Sequence, residues 1–363
     1  MQRSVSRRPS AAAAHFRVPF PHGPDPLPLA SGIRVRCSLS DCPRRFGFIP
    51  FKRHYSAAMS PPSAVLILAY GSPESLDDIE AYLLDIRGGR PTSPGLVAEI
   101  KDRYARIGGA SPLYRITVAQ AQATAAVLRD RGFDVPVYTG MRHWQPRIHE
   151  TVSKMAAAGV RQAVAIVMAP HYSALSISRY WQAIAAANSE LADPICFRYV
   201  DTWWDQPSLL DAQTAAVADA LATVPDWKNQ KLKAVFSAHS LPARYLDPGD
   251  PYQDQFLGNA QAIAARFDGL DWMLAYQSAG VDGGDWLGPL IEDVIPDLGR
   301  QNYDTVLIAP IGFVCDHVEI LYDLDIEARA IAEHNGLALI RTESMNTAPM
   351  FVAAIADAVM SET

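Results

Sequence analysis

Eight short apolar runs, each leading into an amphipathic stretch, constrain this chain more than any other feature. The first four are AVLILAYG (64–71), VPVYTGM (135–141), RQAVAIV before the loop APHYS (169–173), and ICFRYVDTW (195–203). Between them lie helical patterns such as SLDDIEAYLLDI (75–86), GLVAEIKDRYARI (95–107), IHETVSKMAAAGV and ISRYWQAIAAANSEL. Runs of this length, apolar throughout, read as strands buried on both faces, and their alternation with helices makes neighbouring strands parallel. The second half repeats the rhythm with LKAVFSAHS (232–240), WMLAYQSAG (272–280), YDTVLIAPIG (303–312) and GLALIRTESM (336–345). The halves share no clear sequence repeat, but they share an element order. The expected class is α/β: two similar doubly wound, Rossmann-like domains with parallel sheets and a cleft between them. The boundaries read as 59–198 plus 343–363 for the N-terminal domain and 199–342 for the C-terminal one. The last helix, PMFVAAIADAVM, crosses back to the first.

Charge separates a leader from this body. Residues 1–58 carry ten Arg and Lys against two acids, a balance of +8, whereas the remainder carries 22 against 37, or −15. The leader is rich in Arg, Ser, Pro and Ala without apolar periodicity. It reads as disordered or as an over-extended start ahead of Met59, with an organellar transit peptide as the other account. An acidic body disfavours nucleic acid and suits attraction of a cation. No apolar run approaches the roughly 20 residues that span a bilayer. Four cysteines (Cys37, Cys42, Cys196, Cys315) without CxxC spacing fit a reducing compartment rather than a zinc or iron–sulfur framework. The expectation is a cytoplasmic monomer without stable membrane insertion.

Polar residues gather where strands end: Tyr70 in LAYGSP, Arg142 and His143 in GMRHWQP (140–146), the APHYS loop, and His239 in FSAHSLP (236–242). Tyr70 reads equally as a packing residue or as a cleft-facing ligand. His239 follows an apolar strand, where an imidazole serves either as a hydrogen-bonded structural group or as a proton acceptor and borderline metal ligand. After the seventh run comes PIGFVCDHVEILYDLDIEAR (310–329), in which Glu319, Asp323 and Glu327 are spaced four apart. On a helix they form one acidic stripe, which is either a solvated face or a place for a cation. Placed opposite His239, Glu319 makes a site for a divalent metal in transit rather than for closed structural zinc. The region 87–117 supplies Arg87, Arg90, Arg103 and Arg115, interleaved with Tyr104, Ser111 and Tyr114, around a glycine-rich loop, suited to ligand carboxylates or else a surface basic helix. No GxGxxG, GxxxxGK or GxSxG pattern occurs, which argues against dinucleotide, P-loop and serine-hydrolase sites.

LAYGSP, IRGGR, KDRYxxIGGxSPL, APHYS, SAHSLP, GDPY, YQSxG…WLGP and PIGFVCDHVEILYDLDIE occur in this order over roughly residues 59–360. Together they resemble the ferrochelatase family, and AYQSAGVDGGDWLGP resembles its Gram-positive type, which acts on coproporphyrin III. The resemblance implies a chelatase-type fold that inserts Fe2+ into a porphyrin held in the cleft. It implies that His239 and Glu319 handle the metal and the pyrrole protons. Tyr70 would approach the metal from the other macrocycle face. Arg87, Arg103, Tyr104, Ser111 and Tyr180 would bind the porphyrin, and Asp323 and Glu327 would form an outer metal path. Its partners are then the porphyrin and ferrous iron, with no tightly bound cofactor. The 2Fe–2S cluster of some members is not expected, because no cysteine follows Cys315. The rival readings are protoporphyrin IX as substrate, a cobalt or sirohydrochlorin chelatase, and a non-catalytic metal or haem carrier.

Overall fold

Two four-stranded sheets, each wholly parallel, carry the architecture of the computed structural model, which describes residues 61–280 and 284–363. The expectations for residues 1–58 lie outside the described residues. The first sheet contains β1 (Val65–Ala69), β2 (Val137–Met141), β3 (Gln162–Val167) and β4 (Cys196–Val200) in the order β2-β1-β3-β4. The second contains β5 (Leu232–His239), β6 (Trp272–Gln277), β7 (Thr305–Ala309) and β8 (Ala338–Arg341) in the order β6-β5-β7-β8. The two orders are the same, so the shared element order read from sequence is a shared topology. In each sheet the first strand lies between the second and the third. The direction of winding therefore reverses beside β1 and beside β5, which opens a crevice at the carboxyl ends of these strands.

Helices cover both faces, and the strand alternation shows why the strands read as continuously apolar. Val65 and Ile67 pack towards α3 (Leu113–Asp130), α6 (Pro207–Ala222) and α11 (Pro349–Met360). Leu66 and Leu68 pack towards α4 (Ile148–Ala157) and α5 (Ile177–Ser189). On the second sheet, Ala234 and Phe236 meet α7 (Tyr252–Ala264), and Val235 meets α8 (Ile291–Arg300) on the opposite face. The helix α6 belongs to both cores: Leu209 and Ala212 pack with the first sheet, Val217 and Leu221 with the second. A separate helical pair, α1 (Ile79–Ile86) and α2 (Pro94–Arg106), packs through Leu83, Ile100 and Tyr104. Among the described residues, no helix is long and apolar enough to cross a membrane.

The acidic stretch departs from the regular helix expected of it. It forms a short α9 (Val318–Leu321), a π-turn over Asp323–Ala328 and α10 (Arg329–His334). The Glu327 N–H donates to the Tyr322 carbonyl, five residues back, at 2.9 Å. Buried Ile320, Leu324, Ala328 and Ala332 recur every four residues, as do Glu319, Asp323 and Glu327. Four residues of α-helix overshoot a full turn by about 40°, so a regular helix would rotate both rows off their faces. The wider π-turn compensates and keeps the apolar row on the core.

Candidate active site

The carboxyl ends of both sheets border one cleft that encloses about 1380 Å³, counting the part open to solvent. Of the residues singled out from sequence, Tyr70, Tyr104, Ser111, Tyr180, His239 and Glu319 all line it. His239 is the last residue of β5, and Glu319 lies in the first turn of α9, the helix that follows β7, the strand paired with β5.

Hydrogen bonds define the proton inventory of this wall. His239 Nδ1 lies 2.5 Å from the Ser240 carbonyl oxygen. A carbonyl only accepts, so Nδ1 carries the proton of this contact. The Tyr252 hydroxyl donates to the His239 carbonyl at 2.8 Å and ties down the backbone. His317 is held similarly, with Nδ1 3.0 Å from the Cys315 carbonyl, while its Nε2 lies 3.0 Å from Glu319 Oε2. His317 Nε2 and Glu319 Oε2 are thus in hydrogen-bonding contact while Nδ1 faces a backbone carbonyl.

The residues that the first half of the chain gives to the lining include a set of neutral phenols. Burial pushes the Tyr180 hydroxyl up to about 12 and the Tyr70, Tyr82 and Tyr104 hydroxyls well above the usual range. The guanidinium of Arg142 lies 5.8 Å from the Tyr70 ring centre and 5.6 Å from that of Tyr180. His171 also lines the cleft, but burial lowers its pKa to about 4, so it is neutral. Its Nε2 lies 3.1 Å from Asn259 Oδ1, within a buried amide network that runs on to Gln213. Cys315 lines the cleft as a protonated thiol, since burial raises its pKa.

Four expected residues stand outside this lining. Arg87 follows the end of α1, and its Nε is buried without a hydrogen-bond partner. Arg103 lies 3.6 Å from both Glu99 and Asp323 and stacks 4.7 Å from the Tyr322 ring centre. Asp323 and Glu327 line a neighbouring hollow of about 330 Å³ beneath the π-turn. There Asp323 accepts from the Ser278 hydroxyl at 2.5 Å, and burial lifts its pKa to about 7. The acidic stripe therefore serves two cavities, with Glu319 in the cleft and the other two behind it. Among the described residues, no group of three or more His, Cys, Asp or Glu is arranged to hold a metal ion.

Arg142, His171 in the APHYS loop and His317 in the acidic segment also line the cleft, and the sequence assigns none of them a role. The first two stood in strand-end motifs, and that signal was sufficient to put them on the cleft. Nothing in the spacing of His317 and Glu319 told a side-chain pair from two neighbours, because they precede and enter a one-turn helix.

Comparison with known proteins finds relatives in sequence and in fold. The sequence profile of a family described as ferrochelatase matches residues 62–363. A protein of Deinococcus radiodurans named ferrochelatase is 41% identical over 300 residues, covering 82% of this chain and 95% of the relative. A coproporphyrin III ferrochelatase of Geobacillus thermodenitrificans is 38% identical over 299 residues, covering 82% and 94%. The structure of SirB from Bacillus subtilis with Fe3+ matches with a TM-score of 0.52 and 10% identity, covering 83% of this chain and 95% of that one. At that identity the likeness is one of fold.

Proposed function

This chain belongs to the ferrochelatase family, and from that premise we propose that it inserts Fe2+ into coproporphyrin III, releasing two protons. The observation that carries the reading is the convergence of His239 and Glu319 on one large cleft from paired strands. Coproporphyrin III as the substrate is supported by relatives named for it and by the AYQSAGVDGGDWLGP stretch.

In this mechanism the macrocycle lies between the phenolic wall and the His239–Glu319 wall. The His239 Nε2 lone pair accepts a pyrrole N–H proton, a task suited to a near-neutral imidazole. Glu319, held 3.0 Å from His317 Nε2, receives the iron and then releases the cation to the four nitrogens. A carboxylate binds ferrous iron without closing its coordination, as a transient ligand must. Tyr70 stays a neutral phenol against the other macrocycle face. Tyr104, Ser111 and Tyr180 offer hydroxyl donors to substrate carboxylates. Arg87 and Arg103 are assigned to the same carboxylates at the rim, and for Arg103 this means exchanging Asp323 for substrate. Asp323 and Glu327 attract Fe2+ from behind Glu319. The protein works as a monomer without a resident cofactor.

The test is anaerobic incubation of the full chain with Fe2+ and either coproporphyrin III or protoporphyrin IX, followed by absorbance. Turnover of coproporphyrin III is expected, and turnover of protoporphyrin IX alone would overturn the substrate assignment. Stoichiometric binding without turnover would indicate a carrier. His239→Ala is expected to lower kcat by about 10²–10⁴-fold, the usual contribution of a general base, while porphyrin still binds. Near-normal turnover would remove His239 from the centre of the mechanism.

A further inference from the structure

The cleft has one cation that the mechanism above leaves unused. Among the described residues that line it, Arg142 is the only arginine or lysine and Glu319 the only carboxylate. The position of Arg142 is set by the backbone: its N–H donates to the Ala69 carbonyl at 3.0 Å, and the His143 N–H donates to the Tyr70 carbonyl at 2.8 Å. These bonds strap the exit of β2 to the exit of β1. The side chain is then held over two aromatic rings, Tyr70 and Tyr180. Among the described residues its guanidinium makes no ion pair and no hydrogen bond. The nearby carboxylate of Asp85 is already engaged by His143 Nδ1 at 2.9 Å and Arg147 at 2.9 Å. A guanidinium with its donor fork unspent, fixed against neutral phenols in a largely apolar cleft, is a preorganised positive charge.

We propose that Arg142 acts electrostatically on metal insertion, its charge stabilising the negative charge that develops on the pyrrole nitrogens as their protons leave. The inference rests on the porphyrin-metalating function proposed above. In that reaction two N–H bonds break and their electron pairs stay on nitrogen. The two protons pass to the bases of the His239–Glu319 wall and on to water. The macrocycle core becomes a dianion until Fe2+ forms four bonds to nitrogen and neutralises it. The iron stays ferrous, so no oxidant or reductant is required. Deprotonation is the step at which charge appears, and a guanidinium lining the same cleft acts on it without competing for the protons, since it accepts none. The Tyr70 hydroxyl already registers this field, since Arg142 lowers its pKa while Glu319 raises it, burial being the larger effect.

Two substitutions test the idea in the full-length protein with Fe2+ and coproporphyrin III. Arg142→Met removes the charge while keeping a long side chain against both rings, and Arg142→Lys restores the charge. Arg142→Met is expected to lower kcat by about 10²-fold or more, the scale of losing one preorganised charge-stabilising group. Porphyrin KM is expected to stay within about threefold, as for an interaction made only in the transition state. Arg142→Lys is expected to recover at least about a tenth of the lost rate, because charge rather than fork geometry is what acts. Arg142→Gln, which also lacks the charge, is measured alongside in case Arg142→Met fails to fold. A rise in porphyrin KM at unchanged kcat would overturn the proposal and make Arg142 an anchor for substrate carboxylates. So would a Lys variant no better than Met and Gln, or kinetics unchanged in all three. If the unaltered protein shows no turnover with either porphyrin, the functional reading itself fails and this inference falls with it.

Discussion

The turn that separates His239 from Glu319 tolerates almost nothing, and Gly312→Ala measures how far catalysis depends on it. Gly312 lies between β7 and α9, and its N–H donates to the Ser237 carbonyl at 3.0 Å. A Cβ added there would stand 2.6 Å from Ala238 Cβ and 2.8 Å from Ala238 Cα. Apolar carbons rest about 3.5–4.0 Å apart, so the turn or the end of β5 must retreat by about 1 Å. Neither neighbour is the end of a flexible side chain, so the movement falls on backbone that leads directly to His239 on one side and Glu319 on the other. Overpacking of this kind costs about 1–3 kcal/mol of stability. A displacement of about 1 Å between reacting groups costs about 10²-fold in rate. The expected result is a folded protein with a lowered unfolding midpoint and kcat down by about that factor, although no charged or donor group has changed. Gly95→Ala is the control, since a Cβ there meets nothing within 4 Å, and it should keep both stability and kcat. Gly312→Ala with kcat within twofold of the parent, whatever its stability, would refute the claim that turn spacing positions the two groups.

Two further changes probe the acidic segment. Burial holds the Asp323 carboxyl up at about 7, so the native state binds this proton more tightly than the unfolded chain. Stability therefore falls as pH rises from about 4 to about 7. Asp323→Asn should abolish this slope and, at pH 8 with chelator present, gain up to about 4 kcal/mol at 1.36 kcal/mol per pKa unit. Urea midpoints at pH 5 and 8 with equal slopes for both proteins would count against it. Arg341 grips Asp325 through two bonds, Nε to Oδ1 at 2.7 Å and NH2 to Oδ2 at 2.9 Å, with Asp316 at 3.9 Å. Arg341→Met leaves both carboxylates without their cation and should cost about 3 kcal/mol, as for breaking a largely buried pair. An unchanged urea midpoint would show that the pair is solvated.

The fold was legible because both faces of every central strand are buried. Val65 through Ala69 and Thr305 through Ala309 are buried at every position, so they appear in sequence as unbroken apolar runs. The cleft was legible for a related reason, since polar residues at the ends of such runs have no core to join. The π-turn was not legible. A spacing of four suits an α-helix locally, and the choice between turns is made by Arg341, which reaches Asp325 from β8, and by the core beneath Leu324. Both are tertiary facts. The same holds for Arg103, whose charge suggested a ligand carboxylate but which lies beside Asp323, a carboxylate of this chain 220 residues away.

Equal topology in the two sheets has a chemical consequence. Tyr70 and His239 close the first strand of each sheet, β1 and β5, at the two points where the winding reverses. The scaffold thus delivers one residue from each half to the cleft at equivalent positions, and nothing in the backbone distinguishes them. The distinction lies in what each half places beside that residue. The first half puts the Arg142 cation on the ring of Tyr70, keeping that wall positive while its phenols stay protonated. The second half puts beside His239 the carboxylate of Glu319, 3.0 Å from the imidazole Nε2 of His317. In the proposed reaction proton removal needs an acceptor, which the His239–Glu319 side supplies, while burial keeps the phenols around Tyr70 protonated. A duplicated scaffold with opposed charges meets that requirement by side-chain choice alone.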